Sequence, residues 1–204
     1  MRPRGRYPKG AAKRDEILDA ALEIFSKNGY DRTSVREVAR ATGLSQAGLL
    51  HYFNRKEELF IEVLRRRDSR NERIYDMNRG DPVTADGLVA IVRHNSEEPG
   101  LVRLFVAMSA ESTAVDSPAR SFFAARYEAL RAGIAADIRR QQDEGAIAPD
   151  IHADVVASLL LAAADGLQIQ WLLDPEAVDM GARLEELWNA VRRVTSPANS
   201  ETEP

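Results

Sequence analysis

The sequence predicts an all-α fold with about nine helices, and three observations support this prediction. Apolar residues recur at helical spacing from Asp15 to Val194. Over the same span, no run of alternating apolar and polar residues bounded by turn residues indicates a β-strand. Glycine and proline divide the span into separate segments, at positions where each has a stereochemical reason to end or begin a helix.

Two helices are predicted at the start of this span. The first covers about residues 13–28, and Gly29 provides its C-terminal stop. The second begins at Ser34, where Ser34-x-x-Glu37 has the spacing of a capping box. In that motif the hydroxyl accepts a backbone N–H while the glutamate reaches back to the start of the helix.

A third helix of about residues 46–53 leads into a long fourth helix. Asn54-x-x-Glu57 has capping spacing and predicts where the fourth helix starts. This helix continues towards Arg79, and its three consecutive arginines at 65–67 are interpreted as a solvated face. Gly-Asp-Pro at 80–82 ends it and marks the predicted domain boundary. Five more helices follow, at about 83–96, 100–113, 118–144, 151–173 and 179–194.

Composition excludes several classes of function. The chain has 204 residues, of which 44% are hydrophobic, so it can bury a core. It contains no cysteine, which excludes disulfides, thiolate nucleophiles and cysteine-ligated metals. The basic N-terminus lacks the apolar segment of an export signal. The most apolar run, residues 155–164, is shorter than the roughly 20 residues that span a bilayer. We therefore expect a cytoplasmic protein without a membrane segment.

The segment from Ser34 to Phe53 has the spacing of a helix-turn-helix. Val38, Leu44, Leu49 and Tyr52 are predicted to form the core that the two short helices share. Small Ala39 lies where the helices approach each other, and Gly43 lies in the turn, where a positive φ has no steric cost. An ordinary helical hairpin with a glycine turn has the same spacing. Neighbouring features are needed to choose between the two interpretations.

Charge favours nucleic-acid binding at this end of the chain. Residues 1–56 contain 12 Lys+Arg and 6 Asp+Glu, a net charge of +6, whereas the remaining residues have 16 and 26, a net charge of −10. The N-terminal arm is expected to follow phosphates or enter a minor groove through its basic residues, which are Arg2, Arg4, Arg6, Lys9, Lys13 and Arg14. Lys56 begins the fourth helix, where the helix dipole also favours a phosphate. The face between the helices presents Arg36, Gln46, Gly48, His51 and Tyr52, which suit phosphate and base-edge contacts.

Residues 13–64 resemble the DNA-binding domain of the TetR family of bacterial regulators. The resemblance rests on DEILDAALEIFSKNGYDRTSVREVARATGLS and HYFNRKEELF, which match in order. It implies double-stranded DNA as partner, with phosphate contacts from Ser34, Arg36, Tyr52 and Lys56. It implies groove contacts from Gln46, Ala47, Gly48 and His51. One departure is Leu50, where the family commonly has a tyrosine whose hydroxyl contacts the DNA backbone.

The C-terminal body resembles one branch of the same family in RLFVAMSAES, SFFAARYEALRAGI and DGLQIQWLLDPE. The resemblance implies a small-molecule effector among the middle helices and dimerisation through the last two. Independently, the helix at 151–173 is apolar over a wide arc, which requires burial on more than one side. We therefore expect a homodimer through 151–173 and 179–194. Its two reading helices, about 34 Å apart, would enter successive major grooves of a palindromic operator.

The effector itself is not identified by the sequence. Aromatic, methionine and amide residues at helical spacing in the body are candidates for the site, with His94 as a further polar group, although such residues are also typical of core packing. Neither a cofactor nor a metal is predicted, because the three histidines share no ligand spacing. The candidate effector residues are Phe105, Met108, Phe122, Phe123, Tyr127, Gln168 and Trp171.

The function predicted from these features is that of a ligand-responsive DNA-binding regulator, expected from the family to be a repressor that its effector releases from DNA. Two alternatives stay open at this stage: a helical ligand-binding protein without specific DNA binding, and an enzyme. No nucleophile elbow, phosphate loop or paired metal ligands favour the enzyme. The predicted division is a flexible basic arm (1–14), the DNA-binding domain (15–56), a connecting helix (57–80), the effector-binding and dimerisation domain (81–195) and a disordered tail (196–204).

Overall fold

A computed structural model of the protein describes residues 7–28, 33–74 and 82–195. Within these residues every regular element is a helix, which confirms the predicted all-α class. The helices are five to 24 residues long: the short ones include those of the predicted helix-turn-helix, and the longer ones pack against each other. The helices are α1 (Tyr7–Asn28), α2 (Val35–Ala41), α3 (Gln46–Leu50), α4 (Lys56–Ile74), α5 (Ala85–Asn95), α6 (Pro99–Glu111), α7 (Arg120–Asp143), α8 (Ala153–Leu173) and α9 (Met180–Thr195).

The chain forms two compact units. The first comprises residues 1–79 and 97–124, so it contains α1 to α4, α6 and the first residues of α7. The second comprises residues 80–96 and 125–204, with α5, the remainder of α7, α8 and α9. The grouping follows packing, because α6 lies against α1 and α4. The functional division at residue 80 stays a prediction.

In the first unit, α1 is the central helix and packs against α2, α4 and α6. Its Phe25 meets Phe60 of α4 edge to face, with ring centroids 5.3 Å apart. On the solvent side, Arg66 of α4 donates two hydrogen bonds of 2.8 Å to the carboxylate of Asp19. A bidentate pair of this kind fixes orientation as well as charge. These two contacts therefore hold the first half of α4 against α1.

In the second unit, α9 packs against both α5 and α8. Trp188 of α9 is buried, and its indole N–H donates to Asp86 Oδ1 of α5 at 3.1 Å. Asp137 of α7 is also buried and accepts the backbone N–H of Ala85 at 3.2 Å. Asp137 therefore satisfies a backbone N–H in the first turn of α5, where such groups lack partners within the helix, and Asp86 links the same turn to α9.

Two predicted helix boundaries are wrong. α1 begins at Tyr7, so part of the segment assigned to the basic arm is helical. Alanine and lysine there favour a helix, and a proline is tolerated in a first turn. α3 ends at Leu50, before the predicted residue 53, because the backbone N–H of Tyr52 bonds Leu49 three residues back and tightens the chain.

The predicted cap of the fourth helix uses a different glutamate. Glu58 accepts hydrogen bonds from both the backbone N–H and the side-chain Nδ2 of Asn54, at 3.1 and 3.0 Å. The sequence predicted Glu57 for this role. Since α4 begins at Lys56, Glu58 is the third helical residue, which is the position from which a glutamate reaches back.

Gly133 of α7 allows a close approach between segments of the second unit. A Cβ at this position would lie 2.8 Å from Pro82 Cβ and 2.8 Å from the carbonyl oxygen of Val83. We expect Gly133→Ala to lower the free energy of unfolding by about 1–3 kcal/mol, because backbone must move to relieve the contact. This steric destabilisation opposes the stabilisation, up to about 1 kcal/mol, that replacing glycine by alanine normally brings to a helix. Thermal or denaturant unfolding measures the difference.

Gly10→Ala is the matched control, because Gly10 is also helical and, outside its own helix backbone, a Cβ added to it would have no atom of the described residues within 4 Å. It is expected to leave stability unchanged or raise it slightly. If Gly133→Ala stabilised the protein as much as Gly10→Ala does, the close approach to residues 82–83 would be wrong.

Candidate nucleic-acid interface

Helix α2 is fixed at its start by a side-chain cap. Ser34 has an extended backbone, and its Oγ accepts the N–H of Glu37 at 3.2 Å, as the capping spacing predicts. The second half of the predicted motif differs. The Glu37 carboxylate accepts from Asn28 Nδ2 at 3.1 Å and so ties α2 to the end of α1. Arg36, the next predicted contact, is exposed on the outer side of α2.

The turn between α2 and α3 depends on local hydrogen bonds. Gly43 has φ +68°, a left-handed conformation that side chains other than glycine rarely adopt. The following N–H, from Leu44, returns to the carbonyl of Ala39 at 2.8 Å. Thr42 Oγ1 also donates to Val38 O at 3.0 Å. These bonds satisfy the last carbonyls of α2 and set the direction in which α3 leaves.

Helix α3 is anchored on one side and open on the other. Leu49 is fully buried, as are Val38 and Ala39 of α2, which confirms the centre of the predicted shared core. Leu44 and Tyr52 are only half-buried. Ser45 caps α3 by accepting the N–H of Gly48 at 3.0 Å.

The predicted groove contacts lie on the open side of α3 or directly after it. Gln46 and Ala47 are exposed, whereas Gly48 is half-buried. His51 follows as the C-cap of α3 and is exposed, and Tyr52 lies beside it, with ring centroids 6.2 Å apart. A side chain that is exposed but mounted on a packed helix is suited to reading base edges.

Lys56 is the first residue of α4, as predicted, and its side chain is 62% exposed. Its ammonium lies 3.7 Å from the Glu57 carboxylate, and because the side chain is so exposed the ammonium is accessible to a phosphate. Two exposed arginines that the sequence analysis did not assign lie on the same elements: Arg40, one turn after Arg36 on α2, and Arg55, directly before Lys56. Arg40 could have been identified from the sequence, because it follows Arg36 by four residues and therefore lies on the same face of α2.

Two basic residues assigned to the DNA-contacting arm have internal roles. Lys13 Nζ donates to the carbonyl of Thr42, the C-cap of α2, at 2.7 Å. Arg14 lies over the Phe53 ring, with its guanidinium carbon 4.8 Å from the centroid, and donates to Glu62 at 3.2 Å. Both residues therefore hold α1 against the reading helices. The arm before Tyr7 lies outside the described residues.

Four of the predicted effector residues belong to the first unit. Phe105 and Phe123 have ring centroids 5.6 Å apart, and Phe122 and Phe123 5.1 Å apart. Met108 is fully buried one turn after Phe105. The structure thus brings three aromatic rings together, although burial alone does not separate a ligand site from core packing.

The other three predicted effector residues, Tyr127, Gln168 and Trp171, belong to the second unit. Tyr127 Oη donates to Asp165 Oδ2 at 2.6 Å. Burial raises the pKa of the Asp165 carboxyl, while the hydrogen bond from Tyr127 and the charge of Arg126 oppose this shift. Burial also raises the pKa of Tyr127, so its phenol stays protonated and donating at neutral pH. Gln168 Nε2 donates back to Ala164 O at 3.2 Å, and Trp171 is 9% exposed. His94 is half-buried.

A surface cleft of about 520 Å³ lies within the first unit, between the start of α4 and the start of α7. Among the residues that the structure describes, no cluster of histidine, aspartate and glutamate is arranged to hold a metal ion. The cleft is lined by Asn54, Arg55, Glu58, Ile61, Glu62, Arg65, Pro118, Ser121 and Phe122.

Both parts of the chain match known protein families. Residues 17–63 match the model described as bacterial regulatory proteins, tetR family. Residues 85–194 match the model of the C-terminal region of BetI-type transcriptional repressors. The chain belongs to the TetR family. The predicted function class is thereby confirmed: a ligand-responsive, DNA-binding transcriptional repressor and not an enzyme.

Relatives of this TetR-family protein agree with the assignment. The HTH-type transcriptional repressor Rv1474c of Mycobacterium tuberculosis is 27% identical over 188 residues, which cover 90% of this chain and 95% of that protein. A TetR transcription regulator from Haloarcula marismortui shares the fold, with a TM-score of 0.73 and 20% identity over 92% of this chain and 100% of that one. A transcriptional regulator from Saccharomonospora viridis, solved in complex with choline, has a TM-score of 0.66 and 27% identity, covering 88% and 96% of the two chains.

Proposed function

We propose that this TetR-family repressor binds a palindromic operator as a homodimer and that a small-molecule effector releases it from DNA. The main observation that supports a dimer is an apolar stripe on the exposed side of α8. Large apolar side chains exposed in a row favour a protein interface over a solvated surface. The stripe consists of Val155, Leu159, Ala162, Gly166, Ile169 and Leu173, most of it exposed and Gly166 half-buried.

The spacing of the stripe supports a helix as the partner. Its members follow one another at intervals of four, three, four, three and four residues, the repeat with which two helices pack along a common seam. Leu159 is 61% exposed and Leu173 81%. Apart from the backbone of α8 itself, no atom of the described residues lies within 4 Å of the position that a Cβ on Gly166 would take, so a second helix has room to approach there. Leu187 of α9, the helix that packs against α8, is also a partly exposed apolar side chain, at 39%.

Among the described residues, α8 is also the one helix that is long and apolar enough to cross a membrane, by length and composition. The ten-residue run considered in the sequence is therefore extended by its neighbours to a helix of 21 residues. The interface helix of a soluble dimer has the same composition. Packing of α9 against α8 and membership of a family of DNA-binding repressors favour the dimer, and we propose a cytoplasmic protein.

For the DNA contacts we propose the residues that the sequence predicted. Four residues would bind phosphates on either side of the groove: the exposed Ser34, Arg36 and Lys56 and the half-buried Tyr52. The residues that would face the bases are Gln46, Ala47, Gly48 and His51. The phosphate contacts set register and the groove contacts discriminate sequences.

For the effector we propose a site in the C-terminal part that uses some of the seven candidate residues. The regulator from Saccharomonospora viridis binds choline, which supports a small-molecule effector in this fold.

Two alanine variants separate these roles. Lys56→Ala is expected to weaken binding to every duplex and to reduce by about one the slope of log affinity against log salt concentration. Gln46→Ala is expected to weaken binding to a selected operator by about 1–3 kcal/mol, with little effect on random duplexes. Fluorescence anisotropy with an operator selected from random DNA, measured over a range of salt concentrations, gives both quantities.

Glu176→Ala is a suitable control, because Glu176 is exposed and lies in the second unit, in the α8–α9 connection. It should leave both the affinity and the salt slope unchanged apart from a small long-range charge effect. Parental binding by both Lys56→Ala and Gln46→Ala would show that the proposed interface is wrong.

A further inference from the structure

Glu62 of α4 connects two helices through its carboxylate. Its Oε2 accepts a hydrogen bond of 3.2 Å from Arg14 Nη1 of α1, and its Oε1 accepts one from Arg65 on α4 itself. The Glu62 side chain is 16% exposed, so solvent screens these contacts less than it would on an open surface. Glu62 does not belong to the proposed DNA contacts.

Arg14 is held between this carboxylate and an aromatic ring. Its guanidinium carbon lies 4.8 Å from the centroid of the Phe53 ring, within the distance at which the face of a ring attracts a cation. Phe53 is fully buried. By accepting from Arg14, Glu62 keeps the guanidinium over the ring. The guanidinium therefore forms one wall of the site in which Phe53 is buried.

Phe53 lies in the connection that carries part of the proposed DNA interface. Helix α3 ends at Leu50 and α4 begins at Lys56, so residues 51–55 join them. Tyr52 directly precedes Phe53, and Lys56 follows it by three residues. Binding side chains must be held within about 0.5 Å of their productive positions. A shift of the Phe53 ring would move the backbone of Tyr52 and weaken the contacts on both sides of it.

We propose that Glu62 is a positioning residue for DNA binding. It holds Arg14 over Phe53 and so places the connection between α3 and α4 for its contacts with the operator. In this arrangement neither Glu62 nor Arg14 touches DNA, whereas the sequence predicted Arg14 as a phosphate-binding residue of the arm. The inference rests on the proposed function, since it concerns the proposed contacts of Tyr52 and Lys56.

Arg65 gives Glu62 a second partner, which makes the proposal testable in a folded protein. The three arginines at 65–67 were interpreted from sequence as solvated; Arg65 is 55% exposed, but Arg67 is 1% exposed, and for Arg67 that interpretation is wrong. When Arg14 is replaced, Glu62 still pairs with Arg65 and is not left as a lone shielded charge, the situation that strongly destabilises proteins. Variants of Arg14 are therefore expected to stay folded, with Tm within a few degrees of the parent.

The test is a double-mutant cycle on the full chain, with Arg14→Gln, Glu62→Gln and the double variant. Each single change is expected to lower affinity for a selected operator about three- to tenfold. The double variant should lose no more than either single one, because both changes remove the same support from Phe53. Its net charge equals that of the parent, so its loss cannot arise from overall charge. Fluorescence anisotropy well below the lowest Tm of the set measures the affinities.

The sign of the Glu62→Gln effect separates positioning from a direct contact. If Arg14 bound a phosphate, removing Glu62 would free the guanidinium and delete a negative charge, and affinity for every duplex would rise. Positioning predicts a fall, larger on the operator than on random duplexes, where exact placement matters less. Parental or higher operator affinity of Glu62→Gln, losses that multiply in the double variant, or equal losses on operator and random DNA would overturn the proposal.

Two further variants control for charge and for the ring contact. Glu23 is an exposed residue of α1 that pairs with Lys27 of the same helix at 2.6 Å, so Glu23→Gln removes a negative charge without separating two helices. It should leave operator affinity unchanged or slightly raised, and a loss equal to that of Glu62→Gln would contradict positioning. Arg14→Lys keeps the charge but not the planar group that lies over Phe53. It should bind operator with an affinity between those of the parent and Arg14→Gln; no rescue at all would show that the cationic partner of Glu62 is not what matters.

Failure of this inference is distinguishable from failure of the proposed function. Specific binding of an operator by the parent tests the repressor function and involves no variant of Glu62. A parent that binds operator, with Lys56→Ala weakened and Glu62→Gln unchanged, would keep the proposed function and refute the positioning role. A parent that binds no duplex specifically would refute the proposed function itself.

Discussion

Leu159→Glu is expected to convert the proposed homodimer to monomers and to lower operator affinity by about a hundredfold or more. In a single chain Leu159 is 61% exposed, so a glutamate there should cost the fold little, within about 0.5 kcal/mol. In a dimer with two-fold symmetry the same position occurs twice. Each glutamate would then have to lose its hydration against the apolar stripe of the partner, which is strongly unfavourable.

The effect on DNA follows from the geometry of a palindrome. A dimer engages both half-sites at once, whereas a monomer keeps one half of the contacts and loses the linkage between them. Sedimentation or light scattering gives the oligomeric state, and anisotropy gives the affinity for a selected operator. Circular dichroism of the variant should match that of the parent, since α8 itself is not expected to change.

Val115→Glu is the matched control for this prediction. Val115 is an aliphatic residue that is 88% exposed, so replacing it by glutamate is a similar change, but it lies in the α6–α7 connection in the first unit, away from the α8 stripe in sequence. It should leave the dimer and the operator affinity unchanged. A dimeric Leu159→Glu with parental affinity would show that the stripe on α8 is not the interface.

The helix-turn-helix was predictable because its signals are local. Ser34 and Ser45 each cap a helix through a backbone N–H three residues away, and Gly43 adopts the positive φ that its turn requires. Such bonds depend on residues within one turn of each other, which the sequence displays directly. Ala39 and Leu49, both buried, follow from the same short-range pattern.

The roles of charged and polar residues were harder to predict, because their partners lie far along the chain. Lys13 donates to the carbonyl of Thr42, 29 residues away, and Arg14 pairs with Glu62, 48 residues away. In the sequence these two residues are indistinguishable from phosphate-binding arm residues. Arg67 is likewise buried beside Phe105 of α6, which comes much later in the chain, and the charges next to Arg67 in the sequence gave no signal of this burial.

The apolar residues of α8 illustrate an intermediate case. A wide apolar arc predicted burial on more than one side, but periodicity alone did not say which residues face the same chain and which face a partner. In the structure, Leu160, Leu161 and Ala164 are buried within the chain, whereas Leu159 and Leu173 are exposed and so available to the proposed partner. This separation is what makes a selective interface variant possible.

Trp188→Ala is expected to have the largest effect on stability. Trp188 is 1% exposed and, among the residues that the structure describes, is the largest fully buried side chain, at the contact between α9 and α5. Removing a buried tryptophan costs about 3–5 kcal/mol through lost transfer energy and the cavity left behind. For a chain of this size that corresponds to a fall in Tm of about 6–20 °C. Calorimetry or thermal unfolding by circular dichroism measures it.

The same variant should also impair the dimer, for a structural reason. Trp188 holds α9 in place by packing and by its hydrogen bond to Asp86, while the neighbouring Leu187 is part of the exposed apolar surface. If α9 shifts, the surface next to the α8 stripe changes shape. Operator affinity should therefore fall together with dimer stability, and more steeply at low protein concentration, where the monomer prevails.

Two further variants separate packing from hydrogen bonding at this site. Trp188→Phe keeps most of the buried volume but loses the indole N–H, so it should cost much less than alanine and leave Asp86 without this donor. Asp86→Asn keeps an acceptor for the indole N–H but removes the charge that pairs with Arg192. If Trp188→Phe were as destabilising as Trp188→Ala, the hydrogen bond and not the packing would hold α9 against α5. A parental Tm for Trp188→Ala would instead refute the buried position of the side chain.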